Sequence, residues 1–360
     1  MTRILIPLAI SPADLPPPAA DAAPVVLSGD TMGTTWSVTV VLSLDDALPA
    51  AKAVLWGAIQ ATLDEVVLQM STWDPESDLS RFNDAPAGTW HVLPEPLYTV
   101  LDYALSVARN SGGAFDPTVG PLVDVWGFGP AGAVATPPDD AAIDRARRQQ
   151  GWEAIRLDPA SRRAFQPGGV GVDLSGVAKG YGVDHVVRLL RRLGHAHALV
   201  EVGGELRGVG AKPGGEPWWV ELEAPVDASD ASANVAGVAE VLLDASGAAT
   251  SRLPRTLVAL HGLAVATSGD YRRCFEVDGE RYSHTIDPRT GRPVPSRLAS
   301  VTVLHPECMV ADALATALTV LGETEGPAWA GRNGLAARFV LRDGQGWQEV
   351  LTPAFLAMAS

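Results

Sequence analysis

The chain has 360 residues, 47% of them hydrophobic, so it can bury a large core in one globular unit or in two packed lobes. Its formal net charge of −15 argues against nucleic acid or an anionic membrane as the main partner, because both favour excess Lys and Arg. The sequence contains no run near the roughly 18 continuous apolar residues that a membrane span requires. We therefore expect neither a nucleic-acid partner nor a transmembrane segment.

The cysteines and the N-terminal residues bear on the cellular compartment. Cys274 and Cys308 have neither CxxC spacing nor the number needed for a disulfide framework, which favours ordinary reduced thiols. The early run ILIPLAI is about the shortest that could form a signal-peptide core, and no cysteine follows it for lipid attachment. We expect a cytoplasmic protein, with export to the periplasm or membrane association as the alternative.

The N-terminal half contains a tail, a hairpin and two helices in our prediction. Residues 1–24 include SPADLPPPAADAAP and are predicted to be a Pro/Ala-rich flexible tail. The following VVLSGDTMGTTWSVTVVL predicts a hairpin with breaks at Gly29 and Gly33. Apolar spacing predicts helices over residues 49–70 and about 96–110, and AFDPTVGPLVDVWGFG then favours a structured loop.

The C-terminal half contains more strands. Residues 169–194 predict a strand, a tight connection and a helix that ends at Gly194. HALVEVGGELRGVGAK predicts a hairpin that bends at Gly203 and Gly204. Residues 225–250, rich in Ala, Ser, Asp and Gly, are predicted to be a surface insertion. Runs of strands with interspersed helices, and no regular βαβ alternation, favour an α+β fold.

The last predicted helix, MVADALATALTVLG at residues 309–322, carries two polar side chains on an apolar face. Asp312 and Thr316 are four residues apart, so they lie one above the other. A charge near the helix start and a hydroxyl bonded to its own helix would explain them structurally. A Mg²⁺ site would explain them as oxygen ligands, supplemented by substrate phosphates and water. Gly322 is placed to end the helix.

His284 lies in YSHTIDPRTGRPV, on a predicted strand before a turn. The DPRTG segment favours a turn because Pro restricts φ and Gly tolerates positive φ. A histidine beside such a turn is a candidate general base, since its ordinary pKa is close to neutrality. A structural histidine is the alternative.

VDLSGVAKGYGVD has the composition of an anion site. Asp173 closes a strand, and Lys179 lies one turn into the following helix. Exposed amides at such a helix start attract phosphate, although the small residues equally permit close helix packing. The segment matches neither GxxxxGKT nor GxGxxG.

Two aromatic residues adjoin oxygen acceptors. Trp73 follows a predicted helix end in MSTWDPESDLSRFN, and Phe115 precedes Asp116 in GAFDPTVG. Aromatic faces beside acceptors suit a planar ligand, and core packing is the alternative for each ring.

Together these stretches resemble the ApbE family of FAD:protein FMN transferases. The matching blocks, in family order, are GDTMGTTW, STWDPESDLSRFN, GAFDPTVGPLVDVWGFG, VDLSGVAKGYGVD, LVEVGGELRGVG, ATSGDYRRCFEVDGERYSHTIDPRTGRP and VADALATALTVLG. The resemblance implies an α+β, two-lobed fold with mixed and antiparallel sheets, flanking helices and FAD in the cleft between the lobes. It places one such domain over residues 25–350.

The resemblance also implies roles for particular residues. Mg²⁺ would be held by Asp312, Thr316 and the backbone carbonyl of Gly176. His284 is the candidate catalytic base, and Asp270 in TSGDY is a candidate for orienting the site or for forming a turn. FAD, the substrate, would contact Met32, Trp73, Ala114, Phe115, Asp116, Asp173, Lys179 and Ile286.

The implied reaction moves FMN from FAD to a Thr or Ser hydroxyl of an acceptor flavoprotein and releases AMP. A Mg²⁺-dependent FAD pyrophosphatase that forms FMN and AMP is one alternative, and a non-catalytic FAD carrier is another. LDASGAATS loosely resembles the segments that accept flavin, so Thr250 is a candidate for modification in cis. An exposed loop contains the same small polar residues.

Overall fold

An antiparallel sheet of eight strands forms the centre of the structure, a computed structural model that describes residues 2–8, 17–225, 253–270, 274–277, 279–294, 297–343 and 346–359. Along the sheet each strand pairs with the next in sequence among its members, so the chain crosses it as a meander. Numbered in chain order, these strands are β2 (Ala23–Thr31), β3 (Thr34–Leu42), β7 (Ala198–Val202), β8 (Glu205–Val209), β11 (Leu263–Gly269), β16 (Leu298–His305), β17 (Ala336–Asp343) and β18 (Gly346–Leu351).

Three long helices contribute to the core: α1 (Pro49–Met70), α6 (Ala178–Arg192) and α7 (Cys308–Arg332). Helix α7 is kinked at Gly322, the predicted helix end, where φ is 78° and ψ is −172°. In α1, Ile59 and Leu63 recur at the four-residue spacing of one helical face and are fully buried. They join one cluster with Val183 and Val187 of α6 and with strand residues such as Val200. This packing fixes α1 and α6 against the sheet.

A second, three-stranded sheet has the order β1 (Thr2–Leu5), β10 (Arg255–Leu260) and β9 (Trp218–Glu221). Together with α8 (Pro353–Ala357), it contributes to a separate apolar cluster. Leu5 is fully buried in that cluster, and Arg3 forms an ion pair of 2.9 Å with Glu349.

Thr2–Leu5 is therefore a strand, where our prediction has a flexible tail over residues 1–24. The prediction followed the prolines that come later in this segment. It missed the apolar residues before them, because their partner β10 is about 250 residues away in sequence and cannot be identified locally. The hydrophobic pairing offsets the entropy of ordering the chain end.

Among the remaining elements, one helix packs directly against α7. Leu97 and Leu101 pack in one cluster with Leu314 and Leu318. The helices are α2 (Asp78–Asn83), α3 (Glu95–Asn110), α4 (Gly120–Val125) and α5 (Asp140–Arg147), with a single 3₁₀ turn at Trp152–Ala154. The strands are β4 (Thr89–Val92), β5 (Arg156–Asp158), β6 (Arg163–Gln166), β12 (Cys274–Val277), β13 (Glu280–Ser283), β14 (Ile286–Asp287) and β15 (Arg292–Pro293).

The structure confirms the α+β class and the helices predicted over residues 49–70 and 96–110. The predicted loop AFDPTVGPLVDVWGFG contains the short helix α4. The predicted break at Gly29 is wrong, because this glycine lies inside β2, where a Cβ would come 2.7 Å from Nε1 of Trp36. The β2–β3 turn falls at Met32 and Gly33, whose φ angles of 49° and 70° suit a two-residue hairpin turn.

Two further predictions bear on the membrane and on the surface. Within the residues that the structure describes, no helix has the length and apolar character to span a bilayer. Of the predicted surface insertion over residues 225–250, positions 226–250 lie outside the described residues, and so does Thr250.

The N-terminal strand gives a test of whether it is part of the core. We expect Leu5→Ala to lower the free energy of unfolding by about 2–5 kcal/mol, because it leaves a cavity in a packed cluster. Leu8 is 76% exposed, so Leu8→Ala is the matched control and should change stability by less than about 0.5 kcal/mol. Denaturant unfolding measures both, and equal, negligible effects would mean that these residues behave as a tail.

Candidate functional site

A cavity of about 410 Å³ lies where α7, the start of α6 and the end of β11 meet several loops. All the site residues predicted from the sequence line it, with the exception of Asp270. The group comprises Met32, Trp73, Ala114, Phe115, Asp116, Asp173, Gly176, Lys179, His284, Ile286, Asp312 and Thr316. Residues separated by up to 284 positions in sequence therefore share one concave surface.

Close packing of α6 against α7 places the two polar residues of α7 in this cavity. A Cβ at Gly180 would lie 2.4 Å from the carbonyl oxygen of Cys308 and 2.8 Å from Cβ of Asp312, so a larger residue would force the helices apart. At Gly176, just before α6, a Cβ would lie 3.3 Å from Oγ1 of Thr316. These glycines serve packing, and they also bring the backbone close to Asp312 and Thr316.

The Asp312 carboxylate is buried but held by a polar contact. Its Oδ2 accepts a hydrogen bond of 2.9 Å from the Gly180 amide. Burial raises the pKa of this carboxyl, while the nearby Lys179 ammonium and the Gly180 amide act in the opposite direction. A carboxylate has about four lone-pair sites, so this bond leaves acceptor capacity for a ligand.

Lys179 is held by an acidic residue that our sequence reasoning missed. Its Nζ forms an ion pair of 2.5 Å with Oε1 of Glu205, whose side chain is almost fully buried. Glu205 follows the Gly203–Gly204 turn, and a Cβ at Gly203 would lie 3.1 Å from Cδ of Lys179. The sequence signal for Glu205 was its position directly after the predicted bend in EVGGE. Its pairing with Lys179 could be identified only from the folded structure.

Phe115 and Asp116 form part of the cavity wall that precedes α4. Oδ1 of Asp116 accepts hydrogen bonds from the amide of Thr118, at 2.7 Å, and from its hydroxyl, at 2.6 Å. Burial raises the pKa of the Asp116 carboxyl, although both bonds from Thr118 act in the opposite direction. Phe115 lies beside Gly176, since its Cε2 is 3.3 Å from the position of a Cβ there.

His284 follows β13 and lies at the cavity next to Phe128. The two rings meet edge to face, with centroids 6.2 Å apart. The DPRTG turn predicted from sequence follows: the Gly291 amide donates to the Asp287 carbonyl at 2.8 Å, and Trp126 Nε1 donates to the Gly291 carbonyl at 2.8 Å. The turn and the aromatic contact together fix the direction of this segment.

Asp270 is the predicted site residue that does not line the cavity. Its carboxylate accepts two hydrogen bonds of 2.8 Å from Arg342 of β17, and its carbonyl accepts one from Arg281 of β13. The side chain is 2% exposed. Asp270 thus links the end of β11 to β17, which lies beyond β16 in the sheet, and to the hairpin that precedes His284. Any effect on the site is therefore indirect.

Trp73 and Met32 both line the cavity. Trp73 is 58% exposed, unlike most large side chains of this protein. Met32 has the backbone conformation that usually selects glycine or asparagine, and its Cε lies 3.1 Å from the Cβ position at Gly182 of α6. Strained backbone of this kind is concentrated at functional sites.

The donor set fits a hard cation. Within the described residues, no three His, Cys, Asp or Glu side chains are grouped to hold a metal ion. Asp312, Thr316 and the Gly176 carbonyl instead offer one carboxylate and neutral oxygens, which suits Mg²⁺ completed by water and by phosphate oxygens. The buried carboxylate and the close backbone at Gly176 are the observations that support this fit.

These features define an α+β protein whose cavity offers oxygen ligands to a cation and is large enough for a nucleotide-sized ligand. The chain belongs to the ApbE family, whose model matches residues 32–339. A Klebsiella pneumoniae protein named FAD:protein FMN transferase is 36% identical over 341 residues, covering 94% of this chain and 89% of that protein. A Salmonella typhimurium protein of the same name is 37% identical over 339 residues, covering 93% and 89%.

A solved structure supports the same relationship. The apo crystal structure of the Pseudomonas stutzeri flavinyl transferase ApbE is similar to this chain, with a TM-score of 0.80 and 38% identity. The match covers 94% of this chain and 97% of that one. The resemblance predicted from the seven sequence blocks is therefore confirmed.

Asp116 gives a prediction about pH. Because its pKa is raised in the folded protein, folding favours the protonated form, and the wild type loses this contribution as the pH rises. Asp116→Asn retains an oxygen for Thr118 and does not ionise. The unfolding free energy of Asp116→Asn relative to wild type should therefore rise as the pH increases from about 4, near the ordinary aspartate pKa. It should level off once the pH exceeds the raised pKa of Asp116 in the folded protein.

Thermal or denaturant unfolding at several pH values measures this difference. Asp144→Asn, at an exposed position of α5, is the matched control and should show a smaller trend. A constant difference between Asp116→Asn and wild type would contradict the assigned cause.

Proposed function

We propose that this protein transfers FMN from FAD to a hydroxyl group of an acceptor protein and releases AMP. The observation that carries the proposal is the cavity in which Asp312, Thr316 and Gly176 meet, in a chain of the ApbE family. The relatives named FAD:protein FMN transferase cover nearly all of the chain, so the activity applies to the whole domain.

FAD is the substrate and occupies the cavity. Trp73 and Phe115 offer aromatic faces for planar rings, and both line the same space. Lys179 places a positive charge beside that space, where it stabilises a phosphate of the substrate. The remaining proposed FAD contacts are Met32, Ala114, Asp116, Asp173 and Ile286.

Asp312, Thr316 and the Gly176 carbonyl hold Mg²⁺ in this proposal. A bound Mg²⁺ ion neutralises charge on the pyrophosphate and on the AMP leaving group. The protein positions the ligands for it: Gly180 fixes one oxygen of Asp312, and the helix packing keeps Thr316 beside Gly176. Cation binding is the role that best explains why a buried carboxylate and a hydroxyl lie on an otherwise apolar face of α7.

In the reaction, the hydroxyl oxygen of an acceptor Thr or Ser attacks the FMN phosphorus of FAD. A phosphoester bond forms between this oxygen and the FMN phosphorus. The bond between the FMN phosphorus and the bridging oxygen of the pyrophosphate breaks, and AMP leaves with the bridging oxygen and the electron pair. His284, at the cavity, accepts the hydroxyl proton as general base. Asp270 supports the hairpin before His284 through Arg281. We propose the cytoplasm as the location of this reaction.

The mass of an acceptor peptide tests the proposal. With wild-type enzyme, FAD and Mg²⁺, the peptide should gain the mass of one FMN moiety joined through its phosphate, and AMP should appear in equal amount. Asp312→Asn, which is nearly isosteric, should lower the rate by at least about a hundredfold, because it removes the charged ligand of the cation that neutralises the transferring phosphoryl group.

Other products would contradict this function. Free FMN and AMP without peptide modification would identify an FAD pyrophosphatase, and intact FAD would identify a carrier. The mass of the enzyme itself tests modification in cis at Thr250, which an unchanged mass would rule out.

His284→Ala tests the general base. It should lower the rate of transfer by about 10²–10⁴-fold, the usual contribution of general acid–base catalysis, with FAD binding retained. His195→Ala is the matched control, since His195 follows α6 and does not line the cavity. Peptide mass over time gives the rates and fluorescence titration gives FAD affinity; full activity of His284→Ala would exclude the assigned base.

A further inference from the structure

Helix α7 begins without a capping side chain of its own. Its N-cap residue, Glu307, makes no side-chain hydrogen bond to the helix start. The first backbone amides of a helix lack partners within the helix and must find them elsewhere. Here Asp184 of α6 provides them: Oδ1 accepts from the Cys308 amide at 3.1 Å, and Oδ2 accepts from the Met309 amide at 3.0 Å.

Asp184 is buried and carries a counter-ion from the sheet. Its side chain is 3% exposed, and Oδ1 forms an ion pair with Nη1 of Arg207 on β8. A carboxylate at a helix N-terminus is stabilised by the helix dipole, and the paired arginine offsets the cost of burying its charge. The contact therefore joins α6, α7 and β8 at one point.

The contacts between the two helices run in register. Gly176, Gly180 and Asp184 follow one another at intervals of four residues, and they face Thr316, Asp312 and Cys308 in the reverse order. The contact of Asp184 with Cys308 is thus the last of three successive contacts, and the other two involve the proposed cation ligands. A slip of one helical turn would move those ligands by about 5.4 Å.

We propose that Asp184, held by Arg207, is a positioning residue for the cation site. By capping α7 across the helix pair, it sets the register that brings Asp312 and Thr316 opposite Gly176. Asp184 does not line the cavity, so it acts through the helix and does not touch the ligand. The inference rests on the proposed function, because it takes the cation site from it.

Mn²⁺ alone, added to the FAD-free full chain, is the probe, since it accepts the same oxygen ligands as Mg²⁺. Electron paramagnetic resonance of free Mn²⁺ gives the dissociation constant. Asp184→Asn preserves side-chain shape but removes the charge, and it should weaken Mn²⁺ binding by about tenfold, the lower end for residues that orient metal ligands. Asp184→Glu, which keeps the charge, should recover part of the affinity.

The matched control breaks another buried arginine–carboxylate pair outside the cavity. Glu349 of β18 accepts from Nε of Arg338 at 2.6 Å, and Glu349→Gln should destabilise the fold without changing Mn²⁺ affinity. In turnover assays, Asp184→Asn should need more Mg²⁺ for half-maximal rate, whereas its kcat at saturating Mg²⁺ should approach that of wild type.

The outcomes separate this inference from the function on which it rests. If Asp312→Asn leaves Mn²⁺ binding unchanged, the proposed cation site is wrong. If Asp312→Asn abolishes binding while Asp184→Asn binds as wild type does, the positioning role is overturned. Equal weakening in Asp184→Asn and Glu349→Gln would also overturn it, because general destabilisation would then account for the effect.

Discussion

The close approach of α6 and α7 is the constraint on which the rest of the site depends. At Gly180 the space for a side chain is already occupied by the backbone of Cys308 and by Cβ of Asp312. The same approach allows the Gly180 amide to bind the Asp312 carboxylate. A buried carboxylate without such a donor would incur a desolvation cost of a few kcal/mol, so packing and site chemistry are inseparable here.

The large sheet and the loops contribute the remaining walls of the cavity. The β7–β8 turn brings Glu205 to Lys179, and the hairpin after β11 brings His284 to the same cavity. Each wall is held by contacts outside the cavity, such as the Asp270–Arg342 pair. Rigid surroundings of this kind let an enzyme hold reacting groups in position without reorganising them during the reaction.

Local sequence pattern predicted the long helices, the α+β class and part of the cavity lining, whereas the family resemblance supplied other lining residues, such as Met32, Ala114 and Ile286. Asp312 and Thr316 were detectable because they interrupt an apolar period within one helix. Glu205, the cap from Asp184 and the N-terminal strand were not, since each depends on a partner far along the chain. The amide that binds Asp312, for example, is 132 residues away, and no local pattern specifies such a register.

The central claim is that the α6–α7 pair holds a divalent cation against the phosphates of FAD. A crystal structure of the protein with FAD and Mg²⁺ tests it most directly. The account predicts a metal ion about 2.0–2.1 Å from oxygens of Asp312, Thr316 and Gly176, and bound to the pyrophosphate. A structure in which FAD is bound but the Asp312 and Thr316 side chains contact nothing except protein would contradict it.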